Sequence, residues 1–399
     1  MHKFPPVLFV IPRIERTARR ISDPLERLRF LQTAAPKWQL KQVARRKFMW
    51  ARPLVFSLAT LLTAGCFAMA RWKAEASIQS LAASAASQLK TSSAVSTPVG
   101  MALSKPGSKL EIWQVEKTGP SETYSNGLRI DNRFATVNHP RSYRAFSARS
   151  ADIAGERRTT PAGIVYHTTE SLQAPFEAAR NGELKQVGES LLEYIRRRKA
   201  YNFVIDRFGR VFRMVREEDA AEHAGYSVWA DEDRLYVNLN ESFLGVALET
   251  RTQPGQVEAT VTAAQIRATA MLTEMLRGRY QIPARNCVTH AQVSVSPTRM
   301  LAGYHMDWAS SFPFAEIGLP DNYALPLPSV EAFGFERDAN YTRAAGVRLS
   351  AGAGLGERAL AARAAAIGVG VFVYRQRLQK LYRQRLAATR GATVSHEGD

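Results

Sequence analysis

The sequence predicts an α/β domain that is preceded by a membrane-anchoring helix. Short apolar segments suited to buried strands alternate with longer amphipathic segments suited to helices, which is the pattern of a sheet covered by helices. Two of the predicted strands end on a histidine, at His167 and His290, and strand ends are where α/β proteins collect ligand and metal sites. The anchor is indicated by 53–70, a stretch of 18 residues without a charge, about the minimum for a helix that spans a bilayer.

The charge of the chain is concentrated at its two ends. The 399 residues carry a formal net charge of +18. Residues 1–52 hold 13 Lys and Arg against three Asp and Glu, and residues 375–399 hold six against two. A nucleic-acid-binding protein would need a basic folded domain, whereas here the charge flanks apolar segments, as in membrane topology. The two cysteines, Cys66 and Cys287, make a disulfide framework improbable.

The first 109 residues are interpreted as a tail, an anchor and a linker. Residues 1–52 form a basic cytoplasmic tail, 53–70 a transmembrane anchor, and 71–109 an Ala/Ser-rich linker. Because basic residues stay inside, the remainder of the chain is expected outside the membrane. Two processing alternatives remain open: a signal-peptidase site at 68–70, or a lipoprotein attachment box ending at Cys66. An uncleaved anchor is preferred, because the leader would be long for either.

A folded domain is predicted over 110–328. Its early elements are strands at 112–117 and 128–130 around a turn at 125–127, a strand at 163–166 that leads into His167, a helix at 184–199, and a hairpin of strands 201–206 and 210–215. Its later elements are a strand at 243–248, a helix at 262–281 that begins with the capping box Thr262–Gln265, and a strand at 286–290. A loop then leads to His305 and Asp307.

The end of the chain contains a second apolar segment. Residues 329–358 are interpreted as a linker and 375–399 as a basic tail. Between them, 359–374 is apolar apart from Arg363, which leaves a second membrane helix open even though the arginine is costly in a bilayer. The alternative is an amphipathic helix on the membrane surface or against the domain.

Three polar side chains of the predicted domain suit a catalytic zinc site. His167, His290 and Asp307 would provide two imidazoles and one carboxylate, which leaves a fourth zinc position open for water. Zinc lowers the pKa of that water toward about 7 and polarises a carbonyl oxygen. The spacing is not that of a zinc finger, so it favours a metal only weakly, and each histidine could simply cap its strand.

Five segments in order resemble the zinc-dependent N-acetylmuramoyl-L-alanine amidases, whose superfamily includes the phage lysozyme-amidase and the peptidoglycan recognition proteins. They are 163–170, 201–215, 221–225, 240–249 and 289–307. The resemblance implies a central mixed β-sheet flanked by helices, with zinc at the edge of the sheet. It also implies hydrolysis of the amide between N-acetylmuramic acid and the L-alanine of the stem peptide.

The resemblance also assigns roles to individual residues. His167 and His290 match the first two zinc ligands, and Asp307 best matches the third, after a loop that is longer than the family's usual one. His305 stands where the family usually has a lysine that stabilises the oxyanion. It could act as an imidazolium, as a neutral donor, or as the ligand in place of Asp307. Positive neighbours are expected to lower its pKa.

Two further catalytic arrangements occur in the family. One uses a tyrosine at the start of the strand after the long helix, which Tyr201 matches. The other uses a glutamate at the position of Ala247, for which Glu249 could substitute because it faces the same side of a strand. Tyr201 is preferred as the group that holds water or the oxyanion.

Two more residues are candidates on the substrate side of the site. His223 matches a histidine that contacts substrate in the family, and Asn240 is expected to fix the loop before its strand.

The sequence thus predicts a zinc amidase acting on peptidoglycan or muropeptides, anchored in the cytoplasmic membrane with its domain outside, and without a nucleic-acid partner. Two alternatives remain. One is a non-catalytic peptidoglycan-binding module, which the altered lysine position favours mildly. The other is zinc hydrolysis of a different amide, since zinc and a tyrosine do not specify muramyl substrates.

Overall fold

The structure is a computed structural model that describes residues 111–253, 255 and 260–394. The predicted tail, anchor and linker over 1–109 lie outside the described residues. No helix within the described part of the chain is both long and apolar enough to cross a bilayer.

A mixed sheet of eight strands forms the centre of the described chain. The strands are β1 Gln114–Thr118, β2 Ser121–Tyr124, β3 Arg129–Asp131, β6 Gly163–Thr168, β7 Phe203–Ile205, β8 Val211–Arg213, β11 Phe243–Leu248 and β12 Cys287–Thr289. Their order in the sheet is β1-β2-β3-β8-β7-β11-β6-β12. Strands β7, β11, β6 and β12 run parallel, whereas β1, β2 and β3 pair antiparallel with one another. This confirms the predicted α/β class and its mixed central sheet.

Helices cover both faces of this sheet. Helix α1 (Asn181–Arg198) packs on one face through Leu192 and Ile195, and helix α3 (Ala263–Tyr280) packs on the other through Leu272 and Met275. A short helix, α2 (Leu239–Ser242), leads directly into β11. The strand β11 and the capping box of α3, in which Thr262 and Gln265 bond each other's backbone, match the sequence-based predictions.

A second sheet, which the sequence analysis does not predict, packs on the α1 side of the central sheet. Its strands are β4 Tyr143–Ser147, β5 Glu156–Arg158, β9 Val228–Ala230 and β10 Arg234–Val237. They pair antiparallel in the order β5-β4-β10-β9. Buried Trp229 and Tyr236 join this sheet to Val165 and Val288 of the central sheet. Its strands have only three to five residues, too few for an alternating pattern to be recognised.

The chain beyond 328 forms a helical layer rather than a linker and a tail. Its helices are α5 Pro328–Glu331, α6 Ala339–Ala345, α7 Val347–Ala366 and α8 Val371–Val394. Val330, Phe333, Phe335, Leu349 and Ala353 are buried in one cluster with the second sheet. The interpretation of 329–358 as a linker is therefore corrected. The physical reason is that its apolar residues cover the outer face of the second sheet.

The segment 359–374 is divided between two helices. Helix α7 ends at Ala366, Gly368 adopts a positive φ of 67°, and α8 begins at Val371. Leu360 and Ala364 are fully buried, so the first part of the segment packs against the domain. Helix α8 continues far into the predicted basic tail, where Tyr382 is buried in the same cluster as the second sheet.

Three short strands connect the helical layer to the loop that carries Asp307. Strands β13 (Val295–Ser296) and β14 (Leu301–Ala302) pair antiparallel, and β15 (Glu336–Arg337) pairs parallel with β14. The short helix α4 (His290–Val293) precedes them.

Candidate metal centre and active site

His167 lies at the carboxyl end of a fully buried inner strand of the central sheet. Strand β6 runs between β11 and β12, all parallel, and all six of its residues are buried. The side chain of His167 is fully buried. Because parallel strands all end at one edge of a sheet, the predicted histidines at the ends of β6 and β12 come together there.

His290 and Asp307 are placed beside His167 by the elements that follow β12. Thr289 begins α4 with a capping box closed by Gln292, which fixes the turn at which His290 enters the site. The amide of Ala291 donates to the backbone carbonyl of Asp307 over 3.2 Å, so the two ligand-bearing segments are joined directly.

The three predicted ligands form one buried cluster. Oδ2 of Asp307 lies 3.1 Å from Nδ1 of His167 and 3.0 Å from Nδ1 of His290. One ligand atom from each residue lies within 4.8 Å of the other two. Ligand atoms in a tetrahedral zinc site are about 3.3 Å apart, given bonds of about 2.0–2.1 Å. The separations therefore suit a metal ion held by these three side chains.

His223 fixes the tautomer of His167. Nε2 of His223 lies 3.2 Å from the carbonyl oxygen of Phe243, and its Nδ1 lies 3.1 Å from Nε2 of His167. A carbonyl can only accept, so Nε2 of His223 carries the proton and its Nδ1 accepts from His167. His167 consequently presents an unprotonated Nδ1 to Asp307.

The protonation states of the cluster favour a bound cation. Burial and the neighbouring His290 lower the pKa of His167 to about 4, and burial lowers the pKa of His223 well below its ordinary value. Burial alone would raise the pKa of Asp307, but the neighbouring His290 holds it well below its ordinary range. A neutral Nδ1 and a carboxylate oxygen 3.1 Å apart are two acceptors facing each other, a contact that a metal ion between them relieves.

His290 supports the same conclusion. Its Nε2 is buried without a hydrogen-bond partner among the described residues. The donor set of two imidazoles and one carboxylate is that of catalytic zinc sites, which keep one position for water or substrate.

Tyr201 lies against the cluster, where the sequence analysis places a catalytic group. Its ring centroid is 5.0 Å from that of His167. Burial, followed by the charge of Asp307, raises the pKa of Tyr201, so the phenol keeps its proton at neutral pH. Its backbone has a φ of +61°, which is strained for an aromatic residue.

Two other residues of the site share this strained backbone. Glu170 has a φ of +50° and Trp308 a φ of +57°. Non-glycine residues in this region cost about 1–3 kcal/mol each and tend to cluster at functional sites. Sequence patterns do not reveal such a feature, because neither residue type favours the conformation.

His305 stacks on His290 instead of joining the metal ligands. The two ring centroids are 4.2 Å apart at an angle of 18°. Desolvation and the adjacent His290 lower the pKa of His305, as the sequence analysis expects from positive neighbours. A neutral imidazole donor therefore fits this position better than an imidazolium.

Asn240 supports the His223 loop. Its Oδ1 accepts from the backbone amides of His223 and Ala224 over 2.9 and 2.6 Å, which holds His223 in place. Asn240 thus holds the His223 loop, which is separate from the chain directly before its own strand β11, and its role toward substrate stays a prediction.

Glu249 directly follows strand β11 of the central sheet, but its carboxylate contacts the β7–β8 hairpin and not the candidate metal ligands. Its carboxylate accepts from the backbone amide of Arg207 at 3.2 Å, at the tip of the β7–β8 hairpin. Among the described contacts it does not bond the three candidate ligands.

The sequence analysis does not find the residues that hold the loop carrying Asp307. The hydroxyl of Tyr341 donates to the carbonyl of His305 over 2.6 Å and lies 3.3 Å from the carbonyl oxygen of Ala291. Gly303 has a φ of +89°, and a Cβ there would collide with the Tyr341 ring. Tyr341 thus spans both ends of the loop from the helical layer, a contact that no local pattern signals.

Comparisons with known proteins point to one family for the part of the chain that carries the site. Residues 157–300 match the family model described as N-acetylmuramoyl-L-alanine amidase. The curated amidase AmiD of Escherichia coli is 33% identical over 89 residues, which cover 21% of this chain and 31% of that protein. The chain therefore spans about a third of the curated relative it matches.

Two solved structures complete the comparison. The complex of Escherichia coli AmiD with anhydro-N-acetylmuramic acid-L-Ala-D-γ-Glu-L-Lys has 19% identity and a TM-score of 0.31, over 57% of this chain and 89% of that one. The amidase LysC from Clostridium intestinale has 21% identity and a TM-score of 0.25, over 46% and 93%. The resemblance indicated by the sequence motifs is confirmed by the family match over 157–300.

Proposed function

We propose that this protein is a zinc-dependent N-acetylmuramoyl-L-alanine amidase, which hydrolyses the amide between N-acetylmuramic acid and the L-alanine of the stem peptide. The observation that carries the proposal is the buried cluster of His167, His290 and Asp307, in and next to a segment that matches this family. The reaction consumes one water and yields a lactyl carboxylate and a free L-alanine amine.

The side chains of the cluster would hold the metal. Asp307 stays ionised and His167 neutral, for the reasons given above, and these are the states in which both groups bind cations. When bound, zinc supplies a Lewis acid that polarises the amide carbonyl and lowers the pKa of water. His223 keeps the Nδ1 lone pair of His167 directed at the metal position.

Tyr201 and His305 stabilise the charge that develops on the carbonyl oxygen. Tyr201 retains its phenolic proton, which it can donate to an oxyanion in the desolvated site. His305, which stacks on His290, offers a neutral N–H. It stands in the position where the sequence motif of the family has a lysine. A neutral imidazole stabilises an oxyanion less than a lysine cation does. We therefore expect slower turnover, or a larger contribution of Tyr201 to the stabilisation of the oxyanion.

The location of the enzyme is proposed from the sequence. The charge-free stretch 53–70 and the basic residues before it support an anchor in the cytoplasmic membrane, with the domain outside. Peptidoglycan, the proposed substrate, lies on that side of the membrane.

The reaction is tested with full-length protein and purified peptidoglycan. We expect mass spectrometry to detect released stem peptides with a free L-alanine amine. Their release should stop when zinc is removed with a chelator and should resume when zinc is added back. His167→Ala should lose both bound zinc and product, whereas Tyr201→Phe should keep zinc and lose about 10²–10³-fold in kcat. His139→Ala, a histidine outside the cluster, is the control and should remain active.

Three outcomes would contradict the proposal. Binding to peptidoglycan without release would favour the non-catalytic binding module and identify the His305 position as the cause to examine. Cleavage of peptides that lack the sugar would indicate a different amide. Full activity of His167→Ala would refute the metal assignment.

A further inference from the structure

An apolar tip lies where helices α7 and α8 meet. We define the hairpin tip as residues 365–373, a run of nine residues without a polar or charged side chain. Its large side chains are exposed: Ile367 by 56%, Val371 by 42%, Phe372 by 68% and Val373 by 44%. A contiguous exposed apolar group of this kind marks an interaction site rather than ordinary surface.

The hairpin tip projects from the body of the helical layer. The last buried residue of α7 is Ala364, and the first buried residue of α8 is Tyr382. Helix α8 reaches the body at Arg375, whose guanidinium donates to the carbonyl of Phe335 over 2.8 Å. In the described part of the chain, no residue between Ala364 and Arg375 is buried, so this segment forms an exposed end of the helical layer.

The stretch of chain from Arg358 to Arg390, which contains the hairpin tip, carries charge of one sign. From Arg358 to Arg390 the chain has eight basic residues and no acidic one. Two of them are paired with carboxylates, since Arg363 bonds Glu331 of α5 and Arg375 bonds Glu357 of α7, and a third, Arg385, donates to backbone carbonyls. The basic side chains that the structure describes as exposed and outside these contacts are Arg358, Arg377, Lys380 and Arg383.

We propose that the hairpin tip inserts into the surface of a lipid bilayer that contains anionic headgroups. Phe372 and its valine neighbours enter the boundary of the acyl chains, a layer that interfacial segments penetrate by about 5–10 Å. Arg377 and Lys380 follow Phe372 along α8 by about 8 and 12 Å. They consequently reach the level of the lipid phosphates, where each basic residue is attracted.

The shape and charge of this surface favour lipid over a protein partner. A stable protein interface buries about 800 Å² on each side, which is more than a narrow tip with four large apolar side chains offers. Exposed cations on the helices behind a small apolar end are instead typical of interfacial membrane segments. The inference concerns how the protein is held at a surface and does not depend on the proposed reaction.

The insertion is tested with a fluorescent probe in the full-length protein. Phe372→Trp adds one tryptophan to the six of the chain, and the signal is read as the difference from the unchanged protein. Val347→Trp is the matched control, because Val347 is 71% exposed at the opposite end of α7. Both proteins are reconstituted in vesicles whose lipids carry brominated acyl chains, with or without anionic headgroups.

We expect bromine to quench at least about half of the added signal of Phe372→Trp in anionic vesicles, and little of that of Val347→Trp. Because both variants share any anchor over 53–70, tethering alone cannot produce this difference. The pair Arg377→Glu and Lys380→Glu should reduce the quenching by more than about half. The pair Arg197→Glu and Arg198→Glu, on the exposed end of α1, makes the same change in net charge and should not.

Three results would overturn the proposal. Equal quenching of the two tryptophan variants would show that the hairpin tip does not enter the bilayer. Equal quenching of Phe372→Trp with and without anionic lipid would remove the role of the cations. A Phe372→Trp emission spectrum that is already blue-shifted without vesicles, and that changes with protein concentration, would assign the hairpin tip to a second copy of the chain.

Discussion

At the scale of single residues, the site depends on a chain of hydrogen bonds behind the metal ligands. The carbonyl of Phe243, the ring of His223 and the ring of His167 are connected in series. The same carbonyl also accepts from the guanidinium of buried Arg141 over 3.0 Å. Partners of this kind orient metal-ligating imidazoles, so the affinity of the candidate site for a metal ion would depend on residues that do not contact the ion.

Replacement of His223 tests this positioning role. His223→Ala removes the acceptor for Nε2 of His167, and we expect zinc affinity to fall about 10–100-fold. His223→Asn keeps an oxygen near the position of Nδ1 and should recover part of the affinity. Competition with a chromogenic chelator measures both values. If His223→Ala bound zinc as tightly as the unchanged protein while its turnover fell, His223 would contact substrate instead, as the family resemblance implies.

Glu249 offers a pH-dependent test that is separate from catalysis. Burial raises its pKa above the ordinary carboxyl value, so the ionised side chain destabilises the fold at neutral pH. The folded protein binds this proton more tightly than the unfolded chain, and the penalty disappears as pH falls below the unfolded pKa. Glu249→Gln should therefore raise the urea midpoint at about pH 7, and the difference should vanish near about pH 4. A variant that is destabilised at neutral pH would contradict this assignment.

The sequence identifies the three candidate metal ligands that the structure brings together, but not the residues that hold them in place. His167 and His290 are found because each follows a short apolar run, and Asp307 because a family motif continues to it. The bond between His223 and His167 is not predictable, because their separation in sequence gives no sign of contact. The positive φ of Tyr201 is also inaccessible, since tyrosine does not favour that conformation.

At the scale of elements, the loop that carries Asp307 is held by the helical layer. Strand β15 pairs with β14 of this loop, and Tyr341 contacts the backbone at both of its ends. The loop from His290 to Asp307 is longer than the family resemblance implies. Within this loop the structure shows the antiparallel β13–β14 pair.

Tyr341→Phe tests this support. The variant keeps the ring against Gly303 and removes the hydroxyl, so we expect a loss of about 1–2 kcal/mol in unfolding free energy and a several-fold weaker zinc affinity. Gly303→Ala should cost about 2 kcal/mol or more, because it adds a Cβ at a positive φ. Tyr304→Phe, on an exposed tyrosine of the same loop, is the control. The unfolding free energies are measured by calorimetry. If Tyr304→Phe lost as much unfolding free energy as Tyr341→Phe, the specific role of Tyr341 would be contradicted.

The helices of the helical layer are not predicted from the sequence because of their amino-acid composition. Residues 329–358 are rich in Ala and Gly, which suggests a linker. In the structure the small residues let α7 approach the preceding chain closely, since a Cβ at Gly356 would lie 3.0 Å from the carbonyl oxygen of Leu327. The helix α3, by contrast, is predicted to within a residue at each end, because its capping box is local.

At the scale of the whole molecule, the family match covers less than the folding unit. The match ends at residue 300, before Asp307 and before the helices whose apolar residues cover the second sheet. A unit defined by the match alone would lack one candidate metal ligand and the outer cover of a buried cluster.

Truncation tests this interdependence. A chain that ends at Pro326 exposes Phe146, Val228 and Leu235 of the second sheet, which are buried in the full chain. We expect it to be insoluble or to melt more than about 10 °C lower. A chain that ends at Thr389 keeps the described side-chain contacts and should have the same Tm as the full-length protein. A shorter chain that remained soluble with unchanged Tm and zinc content would show that the helical layer is an independent unit.

The contact between Tyr341 and the Asp307 loop also sets an order in time. Every candidate metal ligand is synthesised before Tyr341, and translation at about 5–20 residues per second leaves an interval of about 2–7 seconds. During that interval β14 has no β15 to pair with, and the two carbonyls that Tyr341 contacts have no partner from the helical layer. The candidate metal pocket is thus completed only after α6 has been synthesised and has folded, so a metal ion would be held fully only after that step.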